Sequence, residues 1–414
     1  MRGCVRWLRS SGSSARGTEA IPGRGRRLRV FTSSWGQLES GGSNIGDLAI
    51  FEAQLHDLAG SFEVGIASAD PASTERSYRV RAFSTGRGRT AAYLAGVLWA
   101  DAVIVGGGEL AQDRSSLFYT PFNLLPLRFA WWLGRPAFAW AVGIGQGGEL
   151  APWTPPQLGR WLARARGVTV RDGPSRTSLL GAGLSPVRVV HTADAAFSLA
   201  GSYEPGPRPG DVLGAAPRDV SNRSGALLPL ELRRRLGLTR SGDAGDADLR
   251  QWAQVLDRHL EVHGGRIRLF AFHTGPLSNS DDSSCARVAS LMRHSSRADL
   301  VRTGDLGSFM SEMGGCRAIL TSPLHGAILG LIAGALPVSV PYSTKSSRFM
   351  EEAGLRDLSV RRDGGAWAED ASTRLDRAWR ECPGIWTALR ERRADLIDRA
   401  AANRRLFCRM CLEQ

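Results

Sequence analysis

An uncharged, apolar stretch between Arg317 and Lys345 predicts a strand–helix–strand unit that is buried on both faces. The prolines that interrupt this stretch argue against a membrane-spanning helix. We predict a strand at Ala318–Leu320, a loop at Thr321–His325, a helix at Gly326–Ala335 and a second strand at Pro337–Val340. His325 then lies beside the amino end of the helix, where unpaired backbone N–H groups favour an anion. This position indicates that His325 takes part in phosphate or carboxylate chemistry. The alternative is that His325 has only a structural role.

Apolar strands alternate with helices along the rest of the chain, at the spacing of βαβ units. In the first half the predicted strands are Leu28–Thr32, Phe62–Ala67, Asp101–Val105, Ala137–Gly143, Val168–Arg171 and Val187–His191. In the second half the predicted strands are Val212–Ala215 and Ile267–Phe272, with helices at Leu249–Val262 and Ser284–Met292. The alternation predicts an α/β fold with a mostly parallel sheet in the first half.

The composition of the chain predicts two lobes with extensions at both ends. Residues 201–211 are rich in Pro and Gly and are predicted to link a first lobe, 28–200, to a second lobe, 212–373. Residues 374–414 are predicted to form a C-terminal tail that is charged and helical over Arg374–Leu406 and returns to the first lobe. Residues 1–27 are rich in Arg, Ser and Gly, and we interpret them as a disordered extension outside the fold.

Two glycine-rich turns follow predicted strands of the first half. The turn at Gly41–Asp47 leads into a helix, and the turn at Gly106–Glu109 lies at the carboxyl edge of the sheet, where open α/β sheets bind ligands. Glycines that serve only the turn or the packing of helix on sheet are the alternative. The turn at Gly41–Asp47 lacks the G-x-G-x-x-G pattern and a Walker lysine, so no dinucleotide or ATP site is predicted there. The candidate ligand-binding residues of these turns are Asn44, Asp47, Gly107 and Gly108.

Charge and cysteine content narrow the classes of ligand. The 414-residue chain has a formal charge of +13, and Lys345 is its only lysine. Arginine binds phosphate and carboxylate well, so anionic ligands fit, although genome composition also explains a bias towards Arg. The arginines are scattered rather than clustered with aromatic residues, so nucleic acid is not predicted as a partner.

The six cysteines include a single C-x-x-C at Cys408–Cys411. We predict no disulfide framework, no metal site and no cofactor.

Five short motifs occur in a fixed order along the chain. They are Gly42–Asp47 (GSNIGD), Asp101–Gly108 (DAVIVGGG), Val170–Asp172 (VRD) with Ser175, Asp194–Phe197 (DAAF), and Leu324–His325 followed by Gly334, Pro337, Tyr342 and Lys345. Taken together, the motifs span about residues 30–355 and resemble those of the polysaccharide pyruvyl transferase family. The resemblance implies two Rossmann-like lobes with parallel sheets, similar to GT-B glycosyltransferases, and an active site in the cleft between the lobes.

The same resemblance implies a transferase that uses phosphoenolpyruvate. Its pyruvyl group would move onto two hydroxyls of a glycan or lipid-linked saccharide, giving a cyclic ketal and free phosphate. This chemistry needs an anion clamp, an acid that protonates the enol carbon, and a base that takes the proton of the attacking hydroxyl.

We assign these three roles as exchangeable hypotheses. Arg171 and Arg218 form the clamp together with the helix start at Gly326, His325 is the acid, and the base is His273 or Asp282. The other substrate-binding candidates are Asn44, Asp47, Gly107, Gly108, Leu324 and Lys345. For Ser175 and Asp194 we predict structural roles as helix caps.

The sequence departs from the family pattern at Pro323, where the family usually has an arginine that is expected to hold the donor. Arg317, Arg171 and Arg218 are candidates to replace it. Two other functions remain open: a nucleotide-sugar glycosyltransferase of similar architecture, and a non-catalytic relative that binds glycan or a synthase. We expect a cytoplasmic protein, and its basic charge favours contact with an anionic membrane surface, although no amphipathic anchor is evident.

Overall fold

The computed structural model describes residues 26–33, 43–113, 116–146, 149–203, 210–218, 243–275, 280–362 and 366–412. Three predictions therefore lie wholly or largely outside the described residues: the extension at 1–27, the glycines at 41–42 and the linker at 201–211. Within the described residues the chain forms two parallel sheets, each flanked by helices. The predicted α/β class with two Rossmann-like lobes is confirmed.

The first sheet contains eight strands, with β6 pairing beside β7 and the rest in the order β4-β3-β1-β5-β7-β8-β9. These strands are β1 (Leu28–Thr32), β3 (Phe62–Ser68), β4 (Arg81–Ser84), β5 (Ala102–Gly106), β6 (Glu109–Ala111), β7 (Ala137–Ile144), β8 (Gly167–Val170) and β9 (Val189–His191). All of their pairings are parallel.

The second sheet contains five parallel strands in the order β13-β11-β10-β14-β15. They are β10 (Val212–Ala216), β11 (Arg266–Phe270), β13 (Ala298–Val301), β14 (Ala318–Thr321) and β15 (Leu336–Ser339). A separate antiparallel pair joins β2 (Ser43–Asn44) from the first lobe to β12 (His273–Thr274) from the second lobe.

Helices lie in most of the connections between the parallel strands, as parallel pairing of successive strands requires. In the first lobe they are α1 (Ile45–Leu58), α2 (Pro71–Tyr78), α3 (Arg89–Trp99), α4 (Tyr119–Asn123), α5 (Leu125–Trp132), α6 (Thr154–Leu162) and α7 (Gly173–Gly181). The later helices are α8 (Asp243–His263), α9 (Asp281–Leu291), α10 (Leu306–Gly314), α11 (Leu324–Ala333), α12 (Thr344–Glu352), α13 (Ala368–Arg380) and α14 (Cys382–Leu412). None of the helices in the described ranges is both long enough and apolar enough to cross a membrane.

Burial on both faces explains why the central strands read as continuous apolar runs. Every residue of β7 is buried, as is every residue of β14. The two faces of the first sheet belong to different hydrophobic clusters: on β1, Val30 faces one cluster and Phe31 faces the other. The cluster that includes Val30 continues into the second lobe, so the two lobes share one core.

The carboxyl-terminal helix α14 crosses from the second lobe to the first. The ring of Phe407 lies 5.3 Å from Phe62, 5.7 Å from Phe138 and 5.8 Å from Trp140. Asn403 accepts hydrogen bonds through Oδ1 from the Thr169 hydroxyl at 2.6 Å and from the Thr192 hydroxyl at 3.0 Å. The tail thus completes the core of the first lobe.

The structure corrects three local predictions. The helical tail begins at Ala368 rather than Arg374, and it consists of two helices, because α13 ends at Arg380 and α14 begins at Cys382. The helix after β14 begins at Leu324 rather than Gly326, since Pro323 ends the loop in an extended conformation. The cap of α7 is Asp172 rather than Ser175: its carboxylate accepts from the Ser175 backbone N–H at 2.7 Å.

Candidate functional site in the cleft between the lobes

The carboxyl ends of both sheets meet at a cleft. A cavity there is lined from the first lobe by Arg171, Asp172 and Asp194, and from the second lobe by Leu324 and Lys345. The other lining residues are Phe197, Ile328, Phe349, Glu352 and Leu396. This edge is where open α/β sheets bind ligands.

Two helices begin on opposite sides of this cleft and touch. Asn44 caps α1 by accepting a hydrogen bond from the Gly46 backbone N–H at 3.1 Å. A methyl group built on Gly46 would lie 2.4 Å from Nδ1 of His325, which is in the first turn of α11. Only glycine therefore allows the imidazole to approach the start of α1 this closely.

The His325 imidazole is held neutral in the interior of the cleft. Only 16% of its side chain is exposed, and its Nε2 lies 3.7 Å from Oδ2 of Asp194, beyond hydrogen-bond length. No hydrogen bond joins Nε2 to any part of the chain that the structure describes, although the atom is buried. Burial lowers the pKa of His325 to about 4, helped by the positive charges of Arg171, Arg218 and Lys345. An imidazole nitrogen without a partner is able to exchange a proton with a ligand.

The pKa of Asp47, in the first turn of α1, is shifted in the direction opposite to that of His325. Burial raises the pKa of its carboxyl to about 7, although Arg171 and Arg218 oppose this shift. Its Oδ1 lies 3.9 Å from the position that a methyl group on Gly108 would occupy. The cleft therefore contains a carboxyl group that titrates near neutrality close to the glycine turn after β5.

Arg171 lies at the end of β8 and is buried. Its Nη1 donates to Oδ2 of Asp194 at 3.0 Å, and its Nε lies 3.9 Å from Asp172. Burial alone would lower the pKa of Arg171, but the two carboxylates raise it above its ordinary value. Gly143 leaves room for the guanidinium, because a methyl group there would lie 2.8 Å from Nε.

Arg218 follows β10 and makes a bidentate ion pair with Asp281, at 2.8 and 2.7 Å. Its Nη1 lies 3.4 Å from the Tyr342 hydroxyl. Burial opposes the charged form of Arg218, whereas Asp281 raises its pKa well above the ordinary value. Oδ2 of Asp281 also accepts from the His273 backbone N–H at 2.8 Å, so this carboxylate organises the guanidinium and the strand β12 together.

The glycine turn after β5 approaches the opposite lobe through Glu109. Gly106 and Gly107 have φ values of 90° and 100°, which favour glycine, and a methyl group on Gly107 would collide with Gln54. Glu109 forms an ion pair with Lys345 across the cleft. This pair joins the end of the first sheet to the first turn of α12.

The remaining predicted residues lie around the same edge. His273 pairs in β12 with Asn44, which brings both residues to the junction of the lobes. Asp282 is partly exposed in the first turn of α9, next to the carboxylate of Asp281 that binds Arg218. Gly326 lies in the first turn of α11, where its backbone N–H donates to the carbonyl of Pro323 at 3.0 Å. In the described residues no group of three or more His, Cys, Asp or Glu side chains is placed to hold a metal ion.

Three arginines are candidates to replace the arginine that the family usually has at the position of Pro323. One of them lies away from the site, and two lie at it. Arg317 precedes β14 at the amino edge of the sheet, and its Nη2 donates to the carbonyl of Trp379 at 2.6 Å. It therefore does not reach the site, whereas Arg171 and Arg218 both influence the pKa of His325.

The sequence does not reveal that Asp194 and Asp281 hold the two arginines of the site. Asp194 does cap the turn that follows it, accepting from the Ala196 backbone N–H at 3.1 Å, and it also binds Arg171. The sequence analysis names Asp282 as a candidate, whereas the residue that binds Arg218 is its neighbour Asp281. The start of α9 offered a signal, since the first turn of a helix carries both residues and only one can face the sheet.

Comparisons with known proteins identify a family and a set of similar folds. The family model described as polysaccharide pyruvyl transferase matches residues 44–344. No curated protein matches the chain.

Solved structures show a similar fold at low sequence identity. UDP-GlcNAc 2-epimerase from Neisseria meningitidis, bound to UDP-GlcNAc, is 9% identical with a TM-score of 0.56, over 94% of this chain and 99% of that one. The Methanocaldococcus jannaschii UDP-GlcNAc 2-epimerase is 11% identical with a TM-score of 0.55, over 86% and 94% of the two chains. HepE from Anabaena, in complex with UDP and glucose, is 10% identical with a TM-score of 0.55, over 94% and 100%.

Proposed function

The chain belongs to the polysaccharide pyruvyl transferase family, and from this membership we propose that it transfers the pyruvyl group of phosphoenolpyruvate to a saccharide. Carbon 3 of the donor gains a proton, and carbon 2 forms bonds to two hydroxyl oxygens of the acceptor. Phosphate leaves with the donor's bridging oxygen, and the hydroxyl protons pass to a base and to phosphate. The acceptor class is a glycan or a lipid-linked saccharide.

One observation carries this proposal: the buried Nε2 of His325 has no hydrogen-bond partner among the described residues. Burial and three nearby cations keep the imidazole neutral. A donor carrying phosphate and carboxylate would offset the charges of Arg171, Arg218 and Lys345. The pKa of His325 would then rise, so that the imidazole gains the proton it delivers only when the donor is bound.

The proposed anion clamp consists of Arg171, Arg218 and Lys345. Two of these cations stay in ion pairs with buried carboxylates, which fixes their positions before the donor arrives. Lys345 pairs with Glu109, which is on the other lobe. The phosphate of the donor would compete with Glu109 for Lys345, while the backbone N–H groups at the start of α11 would face the donor's negative charge.

The base is proposed to be His273 or Asp282. His273 pairs with Asn44 at the junction of the lobes, close to the start of α1 that contacts His325. Asp282 remains the second candidate, because it is partly exposed next to the ion pair of Arg218. A His273→Gln variant separates them, since it lowers turnover only if His273 takes the proton.

The test is phosphate release from phosphoenolpyruvate in the presence of a panel of saccharide acceptors. We expect release that depends on the acceptor, together with a ketal in the product. A His325→Ala variant should lose at least about 100-fold in turnover, the low end for general acid–base catalysis. His294→Ala, at a partly exposed histidine paired with Glu261, is the matched control and should keep its activity. Near-normal turnover of His325→Ala would remove the imidazole from the mechanism.

A nucleotide-sugar glycosyltransferase is the second candidate, because the similar folds include proteins in complex with UDP or UDP-GlcNAc. A thermal-shift assay distinguishes the two. Stabilisation by phosphoenolpyruvate and not by UDP-sugars supports pyruvyl transfer, and the reverse result supports glycosyl transfer.

A further inference from the structure

A surface of tryptophan and arginine side chains lies on α5, on α6 and on the turns next to these helices. We call it the Trp–Arg surface and define it by Trp131, Trp132, Trp153, Arg160, Arg164 and Arg166. The three tryptophans are 49%, 61% and 48% exposed. The guanidinium of Arg164 lies 4.9 Å from the ring of Trp131 and 5.0 Å from that of Trp161, so cations and rings are interleaved.

Other side chains supply most of the packing of α5 and α6 on the first sheet. The inner sides of α5 and α6 already pack into the core of the first sheet through Leu127, Ala130, Leu158 and Leu162. Three indole rings that leave about half of their surface in water form an exposed apolar patch, and such patches mark interaction sites.

The positive charge of the Trp–Arg surface indicates which kind of partner it binds. From Asp113 to Asp172 the sequence contains one further acidic residue, Glu149. Arg160, Arg164 and Arg166 are exposed, and within the described part of the chain no carboxylate pairs with them. Many other arginines of the protein are paired, as Arg266 is with Asp299 at 2.8 Å.

We propose that the Trp–Arg surface docks on an anionic lipid membrane. Indole rings are amphipathic and favour the boundary between lipid headgroups and acyl chains. Guanidinium groups bind headgroup phosphates and are attracted to the negative potential of the leaflet. No helix enters the bilayer; the outer sides of α5 and α6 lie on it.

Docking in this way leaves the cleft uncovered. The helices α5 and α6 pack on the cluster that contains Phe31, whereas the second lobe shares the cluster on the other face of the sheet. The protein would therefore rest on its first lobe, with the cleft and the second lobe away from the lipid. This inference does not depend on the proposed reaction, because its test measures binding and not turnover.

The experiment is co-sedimentation of the full chain with vesicles of phosphatidylglycerol and phosphatidylcholine, compared with pure phosphatidylcholine. We expect binding to the anionic vesicles only, and weaker binding as salt rises. The double variant Arg160→Glu/Arg164→Glu should weaken binding at least about tenfold. Each basic residue near an anionic membrane is expected to contribute a factor of about ten, or slightly less, to the affinity. Trp132→Ser should weaken it severalfold, because its ring is the most exposed of the three tryptophans.

The control is Arg250→Glu/Arg356→Glu, which makes the same change in net charge at two arginines that are 68% and 81% exposed and outside the surface. It should leave vesicle binding close to that of the wild type. Equal losses in both pairs, or equal binding to neutral and anionic vesicles, would overturn the proposal. A wild-type protein that dimerises in solution, and becomes monomeric in Trp132→Ser, would assign the surface to a second copy of the chain instead.

Discussion

The two sides of the cleft carry titratable groups whose pKa values are shifted in opposite directions. The first lobe contributes Asp47 at the start of α1, with a pKa raised to about 7, and the second lobe contributes His325 at the start of α11, with a pKa lowered to about 4. Burial is the main cause in both cases, because it disfavours the charged form of either group. The cleft therefore keeps its proton-exchanging groups close to neutral, while its arginines stay charged because carboxylates accompany them.

The largest expected effect comes from removing an arginine from its carboxylate. Arg171→Met leaves Asp194 buried without its partner, and we expect the free energy of unfolding to fall by about 3–5 kcal/mol. Urea denaturation measures this change. Arg266→Met, at an exposed pair with Asp299, is the control and should cost no more than about 1 kcal/mol. Similar losses in the two variants would show that Arg171 is not held in a buried pair.

A smaller effect comes from bringing the two helix starts into collision. Gly46→Ala places a methyl group 2.4 Å from Nδ1 of His325, and we expect a loss of about 1–3 kcal/mol in stability together with lower turnover. In the His325→Ala background the same substitution should cost much less stability, because the ring is gone. Unfolding free energies of the four proteins complete this cycle. Additive costs would place the two residues apart.

The effect that is smallest per step of the measurement is a difference in pH dependence between the two sides, with a slope of at most about 1.4 kcal/mol per pH unit for each group. The folded pKa of Asp47 is raised from 3.8 to about 7, so its contribution to stability is lost as pH rises through that window. The folded pKa of His325 is lowered from 6.5 to about 4, so its contribution is lost as pH falls through that window.

Two variants test these signs. Relative to the wild type, Asp47→Asn should gain stability as pH rises from about 4 to about 7, and His325→Gln should gain it as pH falls from about 6.5 to about 4. Thermal unfolding across this pH range measures both. Parallel curves for wild type and variants would contradict the assigned shifts.

The sequence predicted the strands well because strands depend on local pattern, whereas the cleft between the lobes was implied only by the resemblance in motifs. Strands such as β7 and β14 are buried on both faces, so they read as short apolar runs between glycines and prolines. The start of α11 was placed two residues late, because a proline at the N-cap position reads as part of the loop.

The sequence does not predict which charged residues form ion pairs, because the partners are far apart along the chain. Arg218 and Asp281 are separated by 63 residues, and the choice of Asp281 over Asp282 depends on which side of α9 faces the sheet. The Trp–Arg surface was missed for the same reason. It is assembled from two helices, neither of which has the pattern of an amphipathic anchor on its own.

The helix α14 limits how this protein can be divided or recombined. Its Phe407 fills the first lobe from a position more than 300 residues after the strand that contains Phe62. A fragment that stops at the linker would expose the aromatic rings that Phe407 normally covers, so it should aggregate rather than fold. Chimeras that exchange second lobes between relatives would have to retain the native end of the chain with the native beginning.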